Sequence, residues 1–493
     1  MSGMFSGLQI SASALKVNQS AMSIVSNNIA NVNTKGYHKQ RVNLATLVVG
    51  GSIGGSVTNQ VNSSMGVELI SVDRYNSLLE GDYYNEELSK QGYLNKQKEA
   101  SQNILNQFDE VKGNGLETAL NNMYAKLDNL SQYPTDSSAK ISFVDSASVL
   151  ADKLNSLSGA ITKQKTASVG DGKTQYSLEN SELGQTVDLI NQKLEELTSI
   201  NKMIMNSNTG TLENNNLLDR KDALLQDLAQ YANFEQKTFA NGSINLKLGG
   251  TTLIAGSHLN GTLDLKYSDS GNPTVCFTDK SDNSTLDINK KLSSGIIGGL
   301  LDTSNYDNAL AELDSLAETF STTINNIQTQ EGAYYIDGQK LSNQDINKYK
   351  IFTTNDNSNK ITAQNITINP LLTQNDGYNK VATAYFEAPD KFDENSVGNV
   401  NNINNMLNTK NTLGQVYSTT LGKVSSRANA QNNASDFQDS VVKSVGNRIQ
   451  EQTGVDMNEE LTDLVKYQTA FEASAKVFSV CNKVLDTLMS LGD

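Results

Sequence analysis

Apolar residues spaced by seven, at both ends of the chain, constrain this sequence more than any other feature. Near the start, Leu8, Leu15, Met22 and Ile29 recur at that interval, with Ala12, Ala14 and Ala21 beside them. Near the end, Met457, Leu464, Phe471, Phe478 and Leu485 repeat it, flanked by a second stripe of Leu461, Gln468, Ala475, Asn482 and Met489. Seven residues is the repeat of helices that pack side by side as a coiled coil. Held for several repeats, it is uncommon in the core of a compact domain. Gly454-Val455-Asp456 supplies a break and an N-cap, so the spacing predicts a helix over 459–491, about 50 Å long at ~1.5 Å per residue. Asn31-Val-Asn-Thr-Lys-Gly36 ends the first helix, because Asn and Gly favour turns and left-handed geometry. Periodicity does not choose partners, but pairing the two ends is the simplest use of both stripes.

Between the ends the period changes twice. Residues 37–75 read as extended, with Gly66 to Val72 alternating like a strand and a Gly-rich run over 48–55. From about 76 to 232 apolar residues fall at threes and fours, predicting helices over 77–110, 115–131, around Val144–Ile161, around Val187–Ile204, and from near Leu217. Near 235 the period drops to two: Ile244, Leu246 and Leu248 alternate just after the hairpin signal Asn241-Gly242, followed by Leu263, Leu265, Tyr267, Val275 and Phe277. Helical spacing returns over 305–329, a β-rich or irregular stretch follows over 333–392, and helix resumes from about 397. The expected fold is mainly α with β inserts: terminal coiled-coil helices, an elongated helical bundle and a small β-rich outer domain. The corresponding divisions are 1–45 with 452–493, then 46–234 with 296–332 and 393–451, then 235–295 with 333–392. The last stretch is either part of the first β unit or separate from it.

Composition removes most enzyme classes. There are two His and two Cys, so the His-rich or Cys-rich ligand sets of zinc sites have no material, and no HExxH, GxSxG or GxxxxGK[ST] run is present. A formal net charge of −15 disfavours a nucleic-acid surface, and no apolar run is long enough to span a membrane. The first residues carry no basic and apolar pattern of an ordinary secretory signal. No catalytic, cofactor or metal residue is nominated. His258 reads as a surface loop residue, Cys481 as a small buried hydrophobe, and Asp219-Arg220-Lys221-Asp222 as exposed helix charge. Asn28, Asn31 and Asn33 read as donors to backbone at a helix end, or as partner contacts.

The stretch Ser26-Asn27-Asn28-Ile29-Ala30-Asn31-Val32-Asn33-Thr34-Lys35-Gly36-Tyr37-His38-Lys39-Gln40-Arg41 resembles the SNNIANxNTxGY signature of the flagellar rod–hook–filament axial protein family. Its matching positions are Asn27, Asn28, Asn31, Asn33, Thr34, Gly36, Tyr37 and Gln40; His38-Lys39 departs slightly from the usual pattern. The segment Glu459 to Val477 is similar to the C-terminal part of the same family. Asn215-Asn-Leu-Leu-Asp-Arg-Lys-Asp-Ala-Leu225 and Gly298-Gly-Leu-Leu301 resemble its hook-associated members. The resemblance does not extend over 235–295 or 333–395. It implies a structural subunit, not an enzyme, at the junction of hook and filament, exported unfolded by the flagellar type III apparatus. Its implied partners are further copies of itself, the hook protein, a second hook-associated junction protein and an export chaperone. On this reading Leu8, Leu15, Met22, Ile29, Leu464, Phe471, Phe478 and Leu485 are the assembly face. Two rivals stay open: another axial protein, such as a hook or distal-rod subunit, and an enzyme or adhesin carried by the β insert.

Overall fold

The computed structural model describes residues 2–34, 36–48, 64–76, 78–108, 115–334, 347–386 and 398–489. Helix α1 (Ser2–Ala30) leads into a two-stranded antiparallel ribbon, β1 (Gln40–Val48) and β2 (Ser64–Arg74), with Val42 opposite Val72. Helices α2 (Leu78–Gln107), α3 (Leu116–Gln132), α4 (Ser137–Val169), α5 (Gln175–Glu179), α6 (Glu182–Asn206) and α7 (Leu212–Tyr231) follow. Strands β3 (Phe234–Thr238), β4 (Ile244–Leu248), β5 (Thr251–Ala255) and β6 (His258–Leu259) make one antiparallel sheet. Strands β7 (Gly261–Tyr267), β8 (Pro273–Asp279) and β9 (Thr285–Asp287) make another. Then come α8 (Gly295–Leu301), α9 (Ser304–Gln328), the short strands β10 (Ala333–Tyr334), β11 (Phe352–Thr354) and β12 (Ile366–Ile368), α10 (Pro370–Thr373) and β13 (Ala384–Tyr385). The chain closes with α11 (Asn401–Leu407), α12 (Lys410–Thr453) and α13 (Met457–Met489).

Local chemistry sets the boundaries. Asp136, after the Tyr133-Pro134 turn, caps α4 by accepting from the Ser138 N–H at 2.9 Å. The helix ends at Gly170, where φ is +83° and a Cβ would lie 2.1 Å from the Tyr267 hydroxyl. Gly242, at φ +84°, turns β3 into β4 where the Asn-Gly pair predicts it. The 48–55 glycine run lies largely outside the described residues.

Two apolar clusters carry most of the core. The first joins α3, α4, α9, α11 and the start of α12 through Leu127, Phe143, Leu154, Phe320, Met406 and Tyr417, all nearly or fully buried. The second sets one face of α6 (Leu183, Val187, Ile190, Leu194, Leu197) against the inward residues of β4, β5, β7 and β8. Phe352, Ile366, Ile368 and Val381 belong to the first cluster, whereas Ile244, Leu246, Leu263 and Val275 belong to the second. Among the described residues the two β-rich stretches share neither a sheet nor a core. Alternation alone could not separate them, since both expose the same period.

Helix α12 lies along α2, and polar groups join them. Gln438 Nε2 donates to the Glu87 carbonyl at 3.1 Å and to its carboxylate at 2.6 Å, and Ser435 Oγ donates to Asn95 Oδ1 at 2.7 Å. Asn side chains also attach helices to strands by copying a strand edge. Asn201 Oδ1 accepts from Ile244 N–H and its Nδ2 donates to Ile244 C=O, both at 2.8 Å. Asn191 does the same to Leu263, and Asn325 to Phe352. A chain with 37% hydrophobic residues thus fixes its packing partly with buried amides, each of which needs its partner in place.

Candidate functional site

Helix α1 packs against α13 and against β2. The helix pair is antiparallel. Asn28, near the end of α1, bonds Glu460 at the start of α13, and Gly7, near the start of α1, lies beside Cys481 toward the end of α13. A Cβ on Gly7 would sit 3.5 Å from the Cys481 sulfur, so small residues let the helices approach closely. Tyr467 packs on Ala21 and Ile24.

That contact defines which face of α13 is taken. Leu464, Phe471, Phe478 and Leu485 lie on the helix face of Tyr467 and Cys481 and are half-buried. On α1, Leu8, Leu15, Met22 and Ile29 are half-buried as well, while Val17, Ala21, Ile24, Val25 and Asn28 are buried. On α13 the heptad stripe thus lies on the side of the helix that α1 covers. A different face of α13 stays open: Ala473, Val477, Val480 and Val484 are exposed, Val480 by 58%. Met457 is exposed too, and the side chain of Met489 lies outside the described residues. Heptad counting passed over this face because Ala473, Val477, Val480 and Val484 recur at four, three and four and are interleaved with Lys476, Ser479 and Lys483.

Below the pair, the Asn27–Arg41 stretch folds into a polar hub. Asn28 is 1% exposed and uses both amide groups fully. Its Nδ2 donates to Gln40 C=O at 2.8 Å and Glu460 Oε2 at 2.9 Å; its Oδ1 accepts from Tyr37 O–H at 2.8 Å and Gln40 N–H at 3.1 Å. Asn31 Nδ2 donates to the Asn27 carbonyl and side chain, both at 2.9 Å, and Thr34 Oγ1 donates to Asn31 Oδ1 at 3.1 Å. Asn31 thus bonds local backbone, Asn28 reaches both backbone and a distant helix, and Asn33 is exposed. Gly36 takes φ +81° at the turn. Lys39 Nζ lies 2.7 Å from Glu459 and 3.2 Å from Glu460, its N–H donates to Thr453 C=O at 2.8 Å, and its C=O accepts from Tyr75 N–H at 3.0 Å. Burial pushes the Lys39 ammonium down, but hydrogen bonds to Glu459 and Glu460 hold it above its ordinary value. Burial, then the charges of Asp219 and Glu460, raise the Tyr37 phenol, which stays a donor.

The hub extends into α7. Gln40, 2% exposed, accepts from Asn215 Nδ2 at 3.2 Å, and Asn215 also donates to Val72 C=O at 2.9 Å. Arg74 Nε donates to Asp219 at 2.7 Å and its Nη2 to Asp222 at 2.7 Å; His38 Nδ1 lies 2.9 Å from the same Asp219 oxygen. The expectation of exposed helix charge fails here. Lys221 is buried, and the side chains of Asp219 and Arg74 are 12% and 5% exposed. Only Arg220 points out, paired with Glu196. The cause is Arg74 from β2, distant in sequence, which brings the cation that lets two carboxylates be buried. Burial raises Asp222, and the charges of Lys221 and Arg74 outweigh it, holding the carboxyl below its ordinary value.

Nothing in this arrangement activates a nucleophile. A cavity of about 290 Å³ between the hub and α12 is lined by amides, hydroxyls and backbone, among them Asn31, Thr34, Tyr84, Asn447 and Gln450. Among the described residues no group of His, Cys, Asp and Glu could hold a metal ion, and no helix is long and apolar enough to cross a membrane. His258 is exposed in the β6 strand, Cys276 is buried and Cys481 is half-buried.

Comparison with known proteins matches each of these parts. The family model of the flagellar hook-associated protein FlgK helical domain matches residues 101–345, so the resemblance does run through 235–295, contrary to the expectation from the sequence. That of the flagella basal body rod protein matches 8–38, on α1 and the hub, and that of the flagellar basal body rod FlgEFG protein C-terminal matches 448–491, on α13. Flagellar hook-associated protein 1 of Bacillus subtilis (strain 168) is 23% identical over 521 residues, which span 99% of each chain. The chain belongs to the flagellar hook-associated protein 1 family. Among the relatives of this family, the Salmonella typhimurium protein is 25% identical over 66% of this chain and 57% of its own length. A solved structure, the flagellar hook junction protein FlgK from Burkholderia pseudomallei, is 22% identical, with a TM-score of 0.45 over 55% of this chain and 46% of its own. Hook-associated protein 1 is a structural component of the flagellum, and this chain is one as a member of that family.

Proposed function

We propose that this chain is a structural subunit of the hook–filament junction and that copies join through their terminal helix pairs. The observation that carries the reading is the second apolar face of α13, Ala473, Val477, Val480 and Val484, left exposed while α1 covers the first. An exposed, valine-rich stripe on a helix already paired along its length suits lateral contact with another helix. A neighbouring copy supplies one at every step if the contact is head to tail, which builds a ring or helical layer. Leu464, Phe471, Phe478 and Leu485, with Leu8, Leu15, Met22 and Ile29, then act one step back, by holding the pair that presents the valine face. The hook protein lies on one side of this layer and a second hook-associated protein on the other. The chain reaches its place unfolded through the flagellar type III apparatus, escorted by a chaperone. Buried amides in place of a larger apolar core suit that route, since they leave the unfolded chain less prone to aggregate.

The test is genetic. In the source bacterium, deletion of this chain should leave hooks of normal length, bare of filament, with flagellin in the medium. Short or absent hooks would identify a hook or rod subunit instead.

A further inference from the structure

The tip of the β3–β4 hairpin, Phe239-Ala240-Asn241-Gly242-Ser243, holds an amide set up for attack by its own main chain. Asn241 Oδ1 accepts from the Ser243 N–H at 3.1 Å and from the Ser243 hydroxyl at 2.7 Å. Two donors on one atom fix which end of the amide is oxygen. They draw electron density toward Oδ1, and they already stand where an attack on Cγ would place negative charge. Ser243 is 3% exposed, so water competes little for its hydroxyl. Asn241 itself is half-buried, and its Nδ2 donates to no described residue. The next residue is a glycine, whose nitrogen no side chain shields. The geometry points to Asn241 as a site of self-modification: Gly242 N attacks Asn241 Cγ, and the side-chain amide gives way to an aspartyl or isoaspartyl linkage.

Solvent base takes the proton from Gly242 N. The N–Cγ bond forms and the Cγ–Nδ2 bond breaks, with Nδ2 leaving as ammonia after taking a proton from water. Water then opens the cyclic imide at either carbonyl, so the sum is one water taken up and one ammonia released. The brake is the Gly242 N–H, which donates to Phe239 C=O at 2.9 Å. That bond closes an open hairpin tip, where Phe239 is 42% exposed, and it opens more readily than a bond inside a sheet. Asn260-Gly261 is the same dipeptide without this geometry. Asn260 Nδ2 donates to Thr252 C=O at 3.1 Å, its N–H donates to Leu253 C=O at 2.8 Å, and its C=O accepts from Lys280 N–H at 2.8 Å. Gly261 is buried at the start of β7, paired with Asp279. Conversion at 241 has a structural consequence. The isoaspartyl product lengthens the main chain just before Gly242, whose C=O accepts from Lys221 Nζ at 3.1 Å, and so moves this carbonyl relative to Lys221 and Asp222. None of this depends on the terminal helices or on where the protein assembles.

The test is peptide mapping by mass spectrometry of the full-length protein after long incubation in mildly alkaline buffer, with and without urea. In the folded protein the peptide holding Asn241 should convert roughly tenfold or more faster than the peptide holding Asn260. In urea the two should convert alike. Ser243→Ala removes the hydroxyl donor and keeps the N–H, so it should slow conversion at Asn241 about fivefold in the folded protein and leave it unchanged in urea. Ser243→Thr keeps the hydroxyl and should keep the rate. Hydrogen exchange over 234–248 should match in all three proteins. If Ser243→Ala loosens the hairpin instead, the comparison of Asn241 with Asn260 in the unmodified protein decides alone. The inference is overturned if Asn241 keeps its amide in the folded protein, or if Asn260 converts as fast there. It is overturned too if Ser243→Ala, with the hairpin still protected, converts as fast as the unmodified protein, or if Ser243→Thr is as slow as Ser243→Ala.

Discussion

Replacing Arg74 by Met should be among the most damaging single changes outside the apolar core, and its damage should depend on pH. Arg74 is a β2 residue whose side chain is 5% exposed and which bonds Asp219 and Asp222 at 2.7 Å each. Met fills similar volume and removes only the charge and the donors. Two carboxylates then share Lys221, which lies 3.3 Å from Asp222 and also serves the Gly242 carbonyl. Removing one partner of a buried ion pair costs about 3–5 kcal/mol. Asp222 is held below its ordinary value in the intact protein, so it contributes stability above the unfolded carboxylate range, about pH 4, that is lost as pH falls through its lower folded value. In Arg74→Met the charge and the hydrogen bond of Arg74 are gone and Lys221 is left to oppose burial, so the folded value rises. The deficit should then be greatest near pH 7 and shrink as pH falls toward 4, where the carboxylates take up protons. Urea midpoints for the intact protein and the variant, read by near-ultraviolet circular dichroism at pH 7 and pH 4.5, give both numbers. Arg220→Gln, which breaks an exposed pair with Glu196, is the control and should cost under about 1 kcal/mol. Equal losses for the two variants at pH 7, or a deficit for Arg74→Met that grows as pH falls, would refute the buried-network reasoning.

Val480→Asp should abolish junction assembly in cells while leaving hydrogen exchange of the purified protein unchanged, since this side chain is 58% exposed; slowed folding or lost protection would place it in the chain's own packing. Phe471→Asp should also abolish assembly but by undocking α1 from α13, seen as faster exchange in both helices with the melting temperature of the remainder unmoved. Leu154→Ala, at a fully buried position of the first cluster, should cost about 2–5 kcal/mol in urea unfolding; a change under 1 kcal/mol would mean that the cluster closes around the gap. Asn201→Ala should destabilise by roughly 1–3 kcal/mol, more than Asn191→Ala, because Asn201 is fully buried and binds Ile244 and Gly256 together.

Much of this fold is legible in the sequence because single-faced helices announce themselves. The helices at 116–132, 137–169, 182–206 and 304–328 follow from Leu and Ile at threes and fours, and β3–β4 from Asn241-Gly242. The pairing of α2 with α12 is not legible, because much of it rests on Glu87, Asn95, Ser435 and Gln438, beside the apolar pair Leu88 and Val442, and polar seams have no apolar period. The candidate site divides the same way. The Asn27–Gln40 stretch marks a special segment, and Asn28 and Gln40 prove central, but nothing in the sequence near Asp219 shows that Arg74 lies over it. The heptads correctly mark α1 and α13 as helices with partners. They do not say whether the partner is a second copy or the other end of the same chain, because the two contacts need the same stripe.

The most direct test of the junction assignment is to see where the protein sits. Immunogold labelling of isolated hook–filament complexes, with an antibody against residues 234–292, should give one narrow band between hook and filament and none elsewhere. Label along the whole hook, within the rod or along the filament would contradict the account.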